Sequence, residues 1–104
     1  MRKKKNIRGR KADMAANIDY MMEMVKKYLS GKTPRYIFEL DFQTEILERY
    51  KKMVREHREF AELFYDLLSE GGVDVGDGLS DAEFKRLIRR QYNEVKSIAD
   101  GGFC

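Results

Sequence analysis

The sequence predicts an all-α fold: a three-helix bundle with one long central helix and a flexible basic N-terminal arm. Three observations carry this expectation. One proline occurs in 104 residues, which argues for uninterrupted helices over a turn-rich β fold. Apolar residues recur at helical steps along most of the chain. Glycine-bearing breaks at Ser30-Gly31 and from Gly71 to Gly78 divide it into segments. Apolar residues make up 42% and charged residues 38%, enough for one modest core under a heavily charged surface. The expected organisation is an arm over residues 1–12, a single helical domain over 13–100 and a loose C-terminal tail over 101–104.

The first helix is expected from about Asp13 to Leu29. Met14, Ile18, Met21, Val25 and Tyr28 form its apolar stripe, widened by Met22 and Leu29. Asp13 can cap its start and Gly31 can end it by adopting positive φ. Its methionines offer either core filling or an adaptable binding surface, with Met21 and Met24 as the interface candidates.

Thr33-Pro34 restarts the chain, with Thr33 as N-cap and Pro34 as the first helical residue. Tyr36, Phe38, Leu40 and Phe42 then alternate at strand spacing. A lone short strand would have no partner, so a short helical turn or an extended packing segment is expected. Tyr36, Phe38 and Phe42 would anchor an interface if left uncovered.

The long helix is expected from about Asp41 to Ser69. Ile46, Tyr50, Met53, His57, Phe60, Phe64 and Leu67 follow a heptad-like seam, and Leu47, Val54, Ala61 and Leu68 form a second line beside it. Two seams suit contact with two other helices. Residues 71–78 read as a loop and hinge. Ser80 and Glu83 then have capping-box spacing, flanked by Leu79 and Phe84 at the staple positions. The last helix runs to about Ala99 on Phe84, Leu87, Ile88, Val95 and Ile98.

Charge is distributed unevenly. The net charge is +3, but Arg2, Lys3, Lys4, Lys5, Arg8, Arg10 and Lys11 stand together without an acid. Removing those seven from the 21 basic residues leaves 14 against 18 acidic ones, a net of −4 for the remainder. Such an arm attracts polyanions by counterion release. It can equally meet an acidic protein surface or serve no specific role. The last helix adds Lys85, Arg86, Arg89, Arg90 and Lys96. This basic helix could lie on phosphates, form a solvated face or meet an acidic protein. The nine-residue loop before it is longer than the turn of a helix-turn-helix.

No catalytic constellation is expected. His57, the lone histidine, falls on the apolar seam and reads as structural. Cys104 has no activating base in view and no partner for an internal disulfide. The loop near Asp74 has calcium-loop flavour, but placing Gly78 at its sixth position puts Val73, Val75 and Phe84 where oxygen ligands are needed. No metal or cofactor is therefore expected, and the compartment expected from cysteine usage is the cytoplasm. The absence of a long apolar run argues against a membrane span.

The expected function is that of a non-enzymatic accessory or regulatory protein contacting DNA or RNA through its arm and last helix. The alternative is a protein–protein adaptor or inhibitor using its Met-rich and aromatic surfaces, with an acidic protein or a second copy forming a homodimer as candidate partners. The readings differ visibly. Nucleic-acid contact requires the arm and Arg86 to Arg90 to share a face. Protein contact requires exposed apolar area near Tyr36 to Phe42 or along the long helix.

Overall fold

The computed structural model describes residues 15–102. It contains four helices, not the three expected: α1 (Ala16–Leu29), α2 (Arg35–Glu56), α3 (Arg58–Phe64) and α4 (Asp81–Gly102). A π-helical segment (Tyr65–Glu70) continues α3, and a 3₁₀ turn (Val73–Val75) lies in the connection to α4. The basic arm and Asp13 lie outside the described residues.

The correction centres on one residue. His57 leaves helical geometry at φ −164°, ψ 99°, so the single long central helix expected over 41–69 is broken. Its backbone N–H still closes α2 on the Met53 carbonyl at 2.8 Å. Its Nδ1 accepts the Phe60 N–H at 3.2 Å and caps α3. The histidine thus ends one helix and starts the next. The break changes the phase of the apolar pattern. Before it, Phe38, Phe42, Ile46 and Met53 face the core; after it, Phe60, Ala61, Phe64 and Leu68 do. Leu47 and Ala61, expected on one line, end up exposed and buried respectively.

The ambiguous segment around 34–42 is the opening of α2, with Pro34 as N-cap in extended geometry. It starts one residue later than the Thr33 cap would give. Phe38 and Phe42 build the aromatic centre of the core. Phe38 stacks on Tyr28 at 4.5 Å and an interplanar angle of 8°, and Phe42 stacks on Phe64 at 5.9 Å and 14°. Phe84 of α4 closes against Tyr28 at 5.8 Å. Offset and tilted ring pairs of this kind add to the area they bury.

Two helix ends match the sequence closely. α1 finishes in a Schellman arrangement: Gly31 has φ +86°, its N–H reaches the Tyr28 carbonyl at 3.0 Å, and the Lys32 N–H reaches Lys27 at 2.9 Å. α4 begins with the expected capping box. The Ser80 N–H donates to Glu83 Oε1 at 2.9 Å, and the Glu83 N–H donates to Ser80 Oγ at 3.1 Å. α4 carries on through Gly101 and Gly102, beyond the end expected near Ala99.

The glycine-rich connection is packed, not an open hinge. Gly76 is buried, and a Cβ there would stand 2.4 Å from the Phe84 ring. Only glycine lets the backbone come so close to the aromatic core. No helix among the described residues is long and apolar enough to cross a membrane.

Candidate interaction surfaces

The expected interface residues separate by burial. Phe38, Phe42 and Met21 are wholly buried and serve the core, Met24 is half-buried, and Tyr36 is exposed. The outward side of α2 carries more apolar area than the sequence suggested. Tyr36, Leu40 and Leu47 are 71%, 65% and 80% exposed. With Gln43 between them, they lie along one stripe of the helix. Tyr50 and Val54 extend the stripe at the same steps but are half-buried. Tyr50 is covered by Tyr65 at 4.9 Å. Burial raises the Tyr50 hydroxyl pKa above its ordinary value, helped by Glu62 and Asp66 nearby.

Two grooves open on α2, and the smaller of them borders this ridge. One, of about 790 Å³, runs between α1 and α2 and is lined by Tyr20, Met24 and Ile37 among others, with Asp19, Glu23 and Asp41 at its edge. The other, of about 440 Å³, is bordered by Tyr36, Leu40, Val73, Asp74 and Asp77. Val75, in the 3₁₀ turn, adds further exposed apolar surface. A helical ridge beside a groove is a shape onto which another helix packs.

The basic residues of α4 also separate. Arg89 donates to the Leu29 carbonyl at 3.2 Å, satisfying an orphan acceptor at the end of α1. Lys85 sits 5.2 Å from the centre of the Tyr28 ring. Burial is the main cause that raises the Tyr28 pKa. Arg86, Arg90 and Lys96 are exposed on the outward side, beside Asn93. The arm residues from Arg2 to Lys11 lie outside the described residues, so no common face is established.

Two polar clusters that the sequence did not signal organise the helices around these surfaces. Arg35 donates to Leu79 O at 2.8 Å, Asp81 Oδ1 at 2.9 Å, Gly76 O at 3.0 Å and Glu39 Oε2 at 3.3 Å. Its guanidinium also stands 4.3 Å from the centre of the Phe84 ring. Burial works against the Arg35 charge, but hydrogen bonds to Asp81 and Glu39 prevail and raise its pKa. Arg35 therefore fixes the start of the α2 ridge to the loop carrying Asp74 and Asp77.

At the opposite end, Glu56 caps α1 from the last residue of α2. Its carboxylate accepts the backbone N–H groups of Asn17 and Ile18, each at 2.8 Å, and the Asn17 side chain at 2.7 Å. Arg49 donates to Asn17 Oδ1 at 2.8 Å and stacks 3.7 Å from the centre of the Tyr20 ring. A carboxylate at a helix N-terminus satisfies orphan donors and the helix dipole together.

The lone histidine is engaged in capping, and no group of three or more His, Cys, Asp or Glu residues that could hold a metal ion occurs among the described residues. The outward surface carries an apolar ridge with Asp74 and Asp77 beside it, and exposed cations on α4. No family model, no curated protein and no solved structure is found to match this chain.

Proposed function

We propose that this chain is a helical protein-interaction module that offers the outward stripe of α2 to a helix of another polypeptide. One observation carries the reading: Tyr36, Leu40 and Leu47 are each more than half exposed along a single helical stripe, apart from the stripe of Phe38, Phe42, Ile46 and Met53 that the core takes up. Scattered exposed apolar residues are ordinary, but a contiguous row of large ones marks an interaction surface. The groove bordered by Tyr36 and Leu40 supplies the relief into which side chains of a partner helix pack. Asp74 and Asp77 at the margin favour a partner that brings basic residues to the rim.

A second reading rests on a separate observation. Arg86 and Arg90 form an exposed basic side of α4, which suits phosphate contact in concert with the basic arm. One experiment separates the two. A photo-cross-linking residue is placed at position 47 in one full-length variant and at position 86 in another, and both are irradiated in cells. Protein adducts at 47, with none at 86, support the α2 reading. Nucleic-acid adducts at 86, with position 47 silent, overturn it in favour of phosphate binding.

A further inference from the structure

We infer that the groove between α1 and α2 holds the chain's own basic arm, with Ile7 on the apolar surface of Tyr20, Met24 and Ile37 and with Arg8, Arg10 and Lys11 against Asp19, Glu23 and Asp41. This groove lies apart from the α2 stripe, so the inference goes beyond the proposed helix partner and stands or falls without it.

Position and reach are the first argument. The arm joins the described residues at Ala15, and Ala16 already lines the groove. Met24 stands nine residues along α1 from Ala15, about 14 Å at helical rise. Ile7 precedes Ala15 by eight residues, which span up to about 26 Å when extended. The arm therefore reaches the middle of the groove with slack for its turn back along α1. Ile7 is the one large apolar residue before Met14. Tyr20 and Ile37 are exposed and Met24 is half-buried, so uncovered apolar surface lies where that residue arrives.

Charge complementarity selects the occupant and its direction. Asp19 and Glu23 lie one turn apart on α1, and Asp41 stands on the α2 wall. None of the three has an ion-pair partner among the described residues. Arg49, which covers one face of Tyr20, is already paired with Glu45 at 2.7 Å. The cations that line the groove, Lys27 and Lys32, stand together at its other end beside Pro34, where the Lys32 N–H meets the Lys27 carbonyl. The acids thus meet the part of the arm nearest its root, and the lysines turn away Arg2, Lys3, Lys4 and Lys5. A short tether holds its segment at an effective concentration on the order of millimolar. Surface ion pairs that are individually weak then suffice to fill the groove.

The test uses the full-length protein with Cys104→Ser and Asn6→Cys, a nitroxide on the thiol at position 6, and backbone amide signals read by NMR. Signal should be lost most strongly at Met24, Ile37 and Asp41. An arm that ignores the groove would instead fade the amides around its root evenly, Arg58 as much as Tyr20, and would spare Ile37; that pattern overturns the inference. Asp19→Lys with Asp41→Lys should bring back the signal at Met24 and Ile37, and adding Arg8→Glu with Arg10→Glu should remove it again. Asp19 and Asp41 are exposed, so unchanged helical circular dichroism serves as the folding control. Losses that survive the reversed groove charges, or that the compensating pair fails to restore, also overturn the inference. A last sample mixes spin-labelled protein with isotope-labelled protein that has no nitroxide. Groove signals should stay intact there, and their loss would assign the contact to the arm of another molecule and overturn the assignment to the chain's own.

Discussion

Arg35 shows how much one side chain can hold. Its guanidinium serves the carbonyls of Gly76 and Leu79 and the carboxylates of Glu39 and Asp81 while lying over Phe84. Arg35→Ala leaves two carbonyls without their donor and should destabilise the fold by about 2–3 kcal/mol in denaturant titration. Arg35→Lys keeps the charge but not the planar fork and should fall between the two. The capping box gives a pH signature of a different kind. Hydrogen bonds from the Ser80 backbone and the Ser80–Glu83 side-chain contact hold Glu83 below the usual carboxylate range. A lowered folded pKa means that its contribution is complete above the unfolded value and disappears as pH falls through the folded one. The melting-temperature gap between wild type and Glu83→Gln should therefore be present at neutral pH and close in acid. A gap that persists at low pH would show that the carboxylate charge is not its source.

At the level of elements, the sequence revealed the helices better than their joints. The stripe of α1, its Gly31 ending and the Ser80–Glu83 start of α4 were all legible because each depends on residues close in sequence. The break at His57 was not. Glu56, His57 and Arg58 include no proline or glycine, and the apolar steps continue across them. What fixes the break is tertiary: Glu56 reaches the first turn of α1, some 39 residues back. Glu56→Ala removes the acceptor for two backbone donors and should cost about 1–2 kcal/mol. Glu56→Gln keeps one acceptor oxygen and should cost less. Amide exchange at Asn17 and Ile18 reports the change directly and should accelerate more in Glu56→Ala than in Glu56→Gln.

The whole molecule explains why the opening of α2 read as a strand. Tyr36, Phe38, Leu40 and Phe42 alternate because two helical stripes are superposed there. Phe38 and Phe42 belong to the inward stripe, and Tyr36 and Leu40 to the outward one. A helix with one apolar side cannot produce that pattern; a helix with two can. Of the expected interface anchors, Phe38, Phe42 and Met21 are therefore core residues, and Tyr36 is exposed. Leu47 stood in the second apolar line of the sequence, which does not show that it lies on the outward stripe with Tyr36 and Leu40. The expected basic surface also divided once the helices were assembled, with Arg89 on the end of α1, Lys85 over Tyr28, and Arg86, Arg90 and Lys96 outward. A charge count along a helix cannot tell a structural cation from an available one.

The Glu56 contact also bears on the order of events during synthesis. α1 leaves the ribosome while residue 56 is still inside the exit tunnel, so the emerging helix has neither the carboxylate on Asn17 and Ile18 nor Phe38 and Phe84 to cover Tyr28. A short amphipathic helix in water is marginal without such support. α1 therefore gains its full stability only after α2 has emerged to its last residue, and until then its apolar stripe stands open to chaperones and proteases.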